Sequence, residues 1–193
     1  MGYFVVGLDL GKESDPTALS VVSVGGHDHA RLDLVHLERY PLGTPYTSVA
    51  DRVAALVRNP RLSSPELVVD AGGVGGAVAD MLAAEGIRFV PVTLTGGQRA
   101  RYEGGSWWVP KAELVAALDV ALTTGRLKVA QGLPLWPALR EELLAFRRKI
   151  DLKTAHVCFE HHTASGHGDL VIATALAVWK VGKIGPVAAV DTH

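Results

Sequence analysis

Apolar residues run almost unbroken through YFVVGLDL before the chain reaches its first turn. That run predicts a buried strand over residues 3–10, with a glycine close to a terminal carboxylate, Asp9. Residues 17–24 alternate well enough for a second strand. Gly25, Gly26, His27 and Asp28 then supply a hairpin turn. In residues 30–40, Leu32, Leu34 and His36 alternate with Asp33, Val35 and Leu37, which predicts a third strand with one wetter face.

The period then changes. Val49, Val53, Leu56 and Val57 share one face of a helix over 47–58. A short buried strand at 67–70 ends on Asp70. A helix over 75–85 turns Val78, Met81 and Leu82 inward and stops at Gly86. Residues 87–94 read as a strand and 96–109 as a long polar loop. Pro110 opens a helix at its first position, which runs to about Thr123 and stops at Gly125. A short strand at 127–130, a helix over 135–148, a hairpin over 150–160 centred on Lys153 and Thr154, and a closing helix over 168–181 complete the chain.

Three antiparallel strands followed by strand–helix alternation predict an α/β fold. Its mixed central β-sheet is flanked by helices, in the ribonuclease H-like pattern. The chain has 193 residues, 48% of them hydrophobic, enough for one domain over 1–183. Residues 184–193 lack periodicity and read as a tail or linker. A net charge of -1 confines any nucleic-acid footprint to a local patch. The single cysteine, Cys158, excludes an intrachain disulfide and suits a reducing compartment. No stretch is long and apolar enough to span a bilayer, and the N-terminus lacks a signal-peptide pattern. The expected location is the cytoplasm.

Three aspartates stand at the edges of apolar segments: Asp9, Asp70 and Asp169, the last opening the helix in GHGDLVIATALAVW. If the strands of Asp9 and Asp70 are neighbours, a helix crossing the sheet edge brings Asp169 to the same point. Mg2+ and Mn2+ prefer oxygen ligands. Two such ions about 3.5–4 Å apart can activate water and stabilise the leaving oxygen of a phosphodiester. Singly, each aspartate has a plainer reading. Asp169 can cap its helix, Asp70 can form a turn and Asp9 can pair with a lysine. Together, in this order, they favour a metal site.

The chain resembles the nuclease domain of the large terminase subunit of tailed bacteriophages. The resemblance runs through GLDLGKESDPTALSVV, VVDAGGVGGAVADML, PVTLTGG, VPKAELVAAL, LREELLAF and GHGDLVIATALAVW, and so covers most of the domain in order. It implies a ribonuclease H-like endonuclease that cuts concatemeric viral DNA during packaging in the host cytoplasm. It also implies two Mg2+ or Mn2+ ions and products with 5′-phosphate and 3′-hydroxyl ends. The implied partners are double-stranded DNA, a motor domain, a portal and a small terminase subunit. By the same resemblance Asp9, Asp70 and Asp169 are the metal-binding acids, Asp15 a supporting acid, and His167 the histidine before the final acid, which reads either as a helix-entry residue or as a weak metal ligand or proton shuttle. Gly168 departs from the pattern, because many members carry an aspartate there. The motor is absent as well: GLDLGKES has the wrong spacing for a P-loop.

Other groups are weaker signals. Arg99, Arg101 and Lys111 flank or lie in the 96–109 loop beside Tyr102, Trp107 and Trp108. They make either a phosphate-contacting loop with stacking groups or a solvated loop whose tryptophans fold back on the core. Arg147, Arg148 and Lys149 read as a solvated helix end that complements the dipole, or as a basic run that touches DNA or gates access. His156, His161, His162 and Cys158 have no standard zinc spacing. The glycines of GGVGG suit tight packing beside the site better than dinucleotide binding. Competing functions are a sugar-kinase or actin-like phosphate-binding module, a junction-resolving or RNA-degrading nuclease, and a non-catalytic packaging or DNA-binding module.

Overall fold

The computed structural model describes residues 2–11, 15–26, 31–73, 75–150, 157–161 and 168–183, and for 146–150 and 157–161 only the backbone. Strand β1 (Tyr3–Asp9) lies at the centre of the sheet, where Val5, Val6 and Leu8 are fully buried. Burial on both faces explains why its apolar run does not alternate. Strands β2 (Ala18–Gly25) and β3 (Arg31–Arg39) continue from it as an antiparallel meander. Their register shifts at Val21 and Val22, where Val35 bulges out of the pairing to an exposed position.

Helix α1 (Tyr46–Val57) crosses to β4 (Pro65–Asp70), which pairs with β1 in parallel. Helix α2 (Gly75–Ala84) leads to β5 (Phe89–Thr95), parallel to β4. Residues 96–109 do not form one long loop. They hold β6 (Arg101–Glu103) and β7 (Ser106–Pro110), an antiparallel pair at the sheet edge, with β7 parallel to β5. The turn is Gly104-Gly105, with φ of 61° and 82°. Two consecutive positive φ values are what a two-residue hairpin needs, and glycine supplies them without strain.

Helix α3 (Lys111–Thr123) follows β7, with Pro110 as its N-cap rather than its first residue. Strand β8 (Leu127–Val129) pairs with β3 at the opposite edge. The eight-stranded order is β6-β7-β5-β4-β1-β2-β3-β8. Helix α4 (Trp136–Ala145) is shorter than its pattern predicts, because 146–148 belong to β9 (Phe146–Ile150). Arg147, Arg148 and Lys149 therefore lie in a strand, not at a helix end. β9 pairs antiparallel with β10 (Val157–His161), with Val157 opposite Ile150; the predicted hairpin centre at Lys153 and Thr154 lies outside the described residues. Residues 151–156 and the tail 184–193 lie outside the described residues.

Helix α5 (Asp169–Lys183) is buried on almost every side from Asp169 to Trp179. It lies between the sheet and the other helices of its face, which accounts for an apolar sequence all the way round. Two hydrophobic clusters sandwich the sheet. One joins Val5, Val22, Leu34 and Val68 to Leu114, Leu139 and Leu176 of α3, α4 and α5. The other joins Val6, Leu8, Leu19 and Val69 to Val49, Val53, Val78 and Leu82 of α1 and α2. Close contact of α5 with β1 depends on Gly7, since a Cβ there would stand 2.0 Å from the Ala173 carbonyl oxygen. Ser20 Oγ donates to that same oxygen at 2.9 Å.

Candidate active site

The sheet register builds the site. β1 and β4 run parallel up to Leu8 opposite Val69, so Asp9 and Asp70 come next on each strand. Alternation puts both on the α5 face, with Val5 and Val68 below them. Asp9 pairs with Ala18 on β2, and Ala18 with Arg39 on β3. In the other direction Asp70 pairs with Val92, Val92 with Trp107, and Trp107 with Tyr102. One row thus runs from Arg39 through both carboxylates to Tyr102.

Asp169 enters from above. Gly168 precedes α5 with a φ of 72°, and its carbonyl oxygen accepts the Ile172 N–H at 3.0 Å. Gly168 therefore begins the helix in a backbone conformation that an aspartate would occupy only under strain. Asp169 stands in the first turn and is 4% exposed. A carboxylate there is favoured by the helix dipole.

The three acids interact. Burial, the largest cause, together with repulsion from Asp70 and then Asp169, holds the Asp9 carboxyl well above the usual carboxylate range. Lys111 opposes that rise and Asp15 adds to it. Both residues are therefore within electrostatic reach of Asp9, from the α3 N-terminus and the loop after β1. Asp70 keeps part of its plainer role as well: its Oδ1 accepts the Gly72 N–H at 3.0 Å, an Asx turn that fixes the carboxylate. A Cβ on Gly75 would stand 2.0 Å from the Asp70 carbonyl oxygen, so tight packing explains that glycine. Gly76 has open space around it.

Two charged residues that the sequence pattern does not single out complete the surroundings. Arg39 Nη2 donates to Glu142 Oε1, and Glu142 Oε2 accepts the Val171 N–H at 3.2 Å. Arg39 Nε lies 4.0 Å from Asp169 Oδ2. The signal for Glu142 is its position in the inward stripe Leu135, Leu139, Glu142, where an acid is out of place unless paired. Tyr46 Oη donates to the Gly11 carbonyl at 3.0 Å, and Thr17 Oγ1 accepts the Gly11 N–H at 3.0 Å, so the end of β1 is held from two sides.

The remaining predicted residues spread along the edge. Arg99 is exposed. Arg101 pairs with Glu103 at 3.1 Å and lies over the Trp108 ring at 5.2 Å, so it alternates to the face opposite the carboxylates. Trp107 folds back on the core, edge-on to Trp179 at 5.4 Å. Tyr102, 61% exposed, remains in the carboxylate row, three strand spacings or about 14 Å from Asp70. His167, His156 and His162 lie outside the described residues, as do the side chains of Cys158 and His161.

The donor set suits a hard divalent cation: three carboxylates sharing one end of the sheet, with Asp9 desolvated and repelled by the other two. Among the described residues, no group of three His, Cys, Asp or Glu already stands at metal-ligand spacing.

The fold has clear counterparts. The large terminase nuclease from thermophilic phage G20c superposes with a TM-score of 0.67 at 24% identity, over 93% of this chain and 82% of that one. This chain has the fold of a large-terminase nuclease domain. The nuclease domain of the large terminase of bacteriophage SPP1, with bound Mn, gives a TM-score of 0.57 at 16% identity, over 92% of this chain and 86% of that one. The terminase nuclease domain of human cytomegalovirus, Mn soaked, gives 0.55 at 15%, over 92% and 83%. No protein-family model and no curated protein sequence matches the chain. The ribonuclease H-like sheet predicted from the strand pattern is the one observed.

Proposed function

We propose that this chain is a divalent-metal-dependent endodeoxyribonuclease of the large-terminase kind, which cuts concatemeric viral DNA during genome packaging in the host cytoplasm. The observation that supports the reading is the sheet register that sets Asp9 beside Asp70, with Asp169 opening α5 near enough for both acids to raise the Asp9 carboxyl. Asp9 would be the ligand shared by the two ions, with Asp70 holding one and Asp169 the other, Asp15 supporting and His167 a weak further ligand. When bound, two Mg2+ or Mn2+ ions supply a nucleophilic water and neutralise charge on the leaving oxygen.

The protein's own contributions are placement and charge. The Gly72 N–H fixes the Asp70 carboxylate. The buried first turn of α5 fixes Asp169. Lys111 brings a positive charge within reach of Asp9, suited to a phosphate oxygen. Tyr102 offers a stacking surface further along the row, and Arg99 and Arg101 offer phosphate contacts at the edge. Positioning on long DNA is assigned to a motor, portal and small terminase subunit, since a net charge of -1 gives this chain little non-specific attraction of its own.

The test is cleavage of plasmid DNA with Mn2+, Mg2+ or EDTA, comparing wild type with Asp70→Asn. Metal-dependent cutting with 5′-phosphate ends, abolished in a folded Asp70→Asn protein, is the expected result. Full activity of that variant with Mn2+ would remove the proposed site.

A further inference from the structure

Arg39 stands between two buried carboxylates. Glu142 is 6% exposed and Asp169 is 4% exposed. The guanidinium contacts Glu142 directly through Nη2. Towards Asp169 Oδ2 it comes only to 4.0 Å, beyond hydrogen-bonding distance. Its Nε–H is buried and has no hydrogen-bond partner among the described residues. Glu142 is itself held in place, since its second oxygen accepts the Val171 N–H of α5.

A guanidinium offers a fork of donors that fits a carboxylate with two bonds. The Arg39 side chain is only partly exposed and its Nε is buried, so a guanidinium released from Glu142 has the nearest other anion within reach. Here that is Asp169. An Asp169 closed by Arg39 would lose both the negative charge and the oxygen lone pairs that a cation needs. We propose that Glu142 is a positioning residue that holds Arg39 off Asp169 and so keeps that carboxylate available to a divalent cation. The inference rests on the metal-site reading above. It makes the charge of Glu142, not its bulk or its helix-capping bond, the property that matters.

A double-variant cycle read by Mn2+ calorimetry on the whole 193-residue chain tests this. Glu142→Gln keeps an acceptor for Val171 but releases Arg39. It is expected to weaken Mn2+ binding about tenfold or more, the usual range for outer residues of a metal site. Adding Arg39→Gln to that variant is expected to restore affinity to within about threefold of wild type. Arg39→Gln alone is expected to bind at least as tightly as wild type. A purely structural role for the pair predicts the reverse, with each loss adding to the last. Unchanged binding in Glu142→Gln, no recovery in the double variant, or weaker binding in Arg39→Gln overturns the inference. If Glu142→Gln does not fold, Arg39→Gln alone decides. A wild-type chain that takes up no Mn2+ overturns the metal-site reading itself, and this inference with it.

Discussion

Partial desolvation and the neighbouring Asp70 and Asp169 raise the Asp9 carboxyl, a repulsion that a bound cation would relieve. Removing its charge should therefore make the metal-free protein more stable, the trade-off expected of a functional site. Asp9→Asn should raise the thermal midpoint in EDTA, at about 2–4 °C per kcal/mol for a chain of this size. A lower midpoint would mean that Asp9 is mainly a structural ion-pair partner. The three aspartates are legible in the sequence because each ends or opens an apolar segment. Arg39 and Glu142 are not, because their pairing spans 103 positions and only the fold brings them together. Gly168 reads as a missing ligand, and the structure adds a backbone reason for it in a φ of 72°.

Among the elements, α5 and β1 approach each other closely at Gly7. Gly7→Ala would drive a methyl into the Ala173 carbonyl, 2.0 Å from the new Cβ. Neither backbone can yield cheaply, so the expected cost is about 1–3 kcal/mol or more, with weakened Mn2+ binding as Asp169 moves with the helix. Urea denaturation checks the first part and calorimetry the second; wild-type values in both would show that α5 can shift freely over β1. Between β3 and α1, Glu38 bonds His36 at 2.8 Å and Arg52 at 2.9 Å. These contacts, the His36 bond foremost, lower the Glu38 carboxyl to about 2. A lowered acid contributes stability that is present above its ordinary value of 4.5 and lost as pH falls towards 2. The melting advantage of wild type over Glu38→Gln should therefore shrink across that window, and a constant difference would exclude the linkage. Element types are largely readable from periodicity. The β6–β7 hairpin hides in the sequence because Gly104-Gly105 resembles loop composition, although two glycines between β-forming residues are a turn signal. The end of α4 is hidden as well, because Phe146, Arg147 and Arg148 continue a plausible helical pattern until the pairing with β10 claims them.

At the scale of the whole molecule, the sheet order and the crossing of α5 bring acids distant in sequence to one end of the sheet. The flank towards β6 carries Lys111, Arg99, Arg101 and Tyr102. Charge removal there should weaken binding to DNA of any sequence alike. Arg99→Ala with Arg101→Ala should lower the slope of log affinity against log salt by about one unit for each phosphate that the variant no longer neutralises. An unchanged slope in fluorescence anisotropy would place the DNA elsewhere. The mixed sheet with its opening meander is legible because the change from alternating to helical periods leaves few topologies open, whereas the β6–β7 edge is not. The face each edge residue takes is not, since it depends on a register that only pairing fixes. The most direct test of the account is nicking of supercoiled plasmid in Mn2+ by wild type and by Asp9→Asn. Wild-type nicking that stops with EDTA and is absent in a folded Asp9→Asn variant is the predicted result. Equal nicking by both proteins would contradict the carboxylate centre.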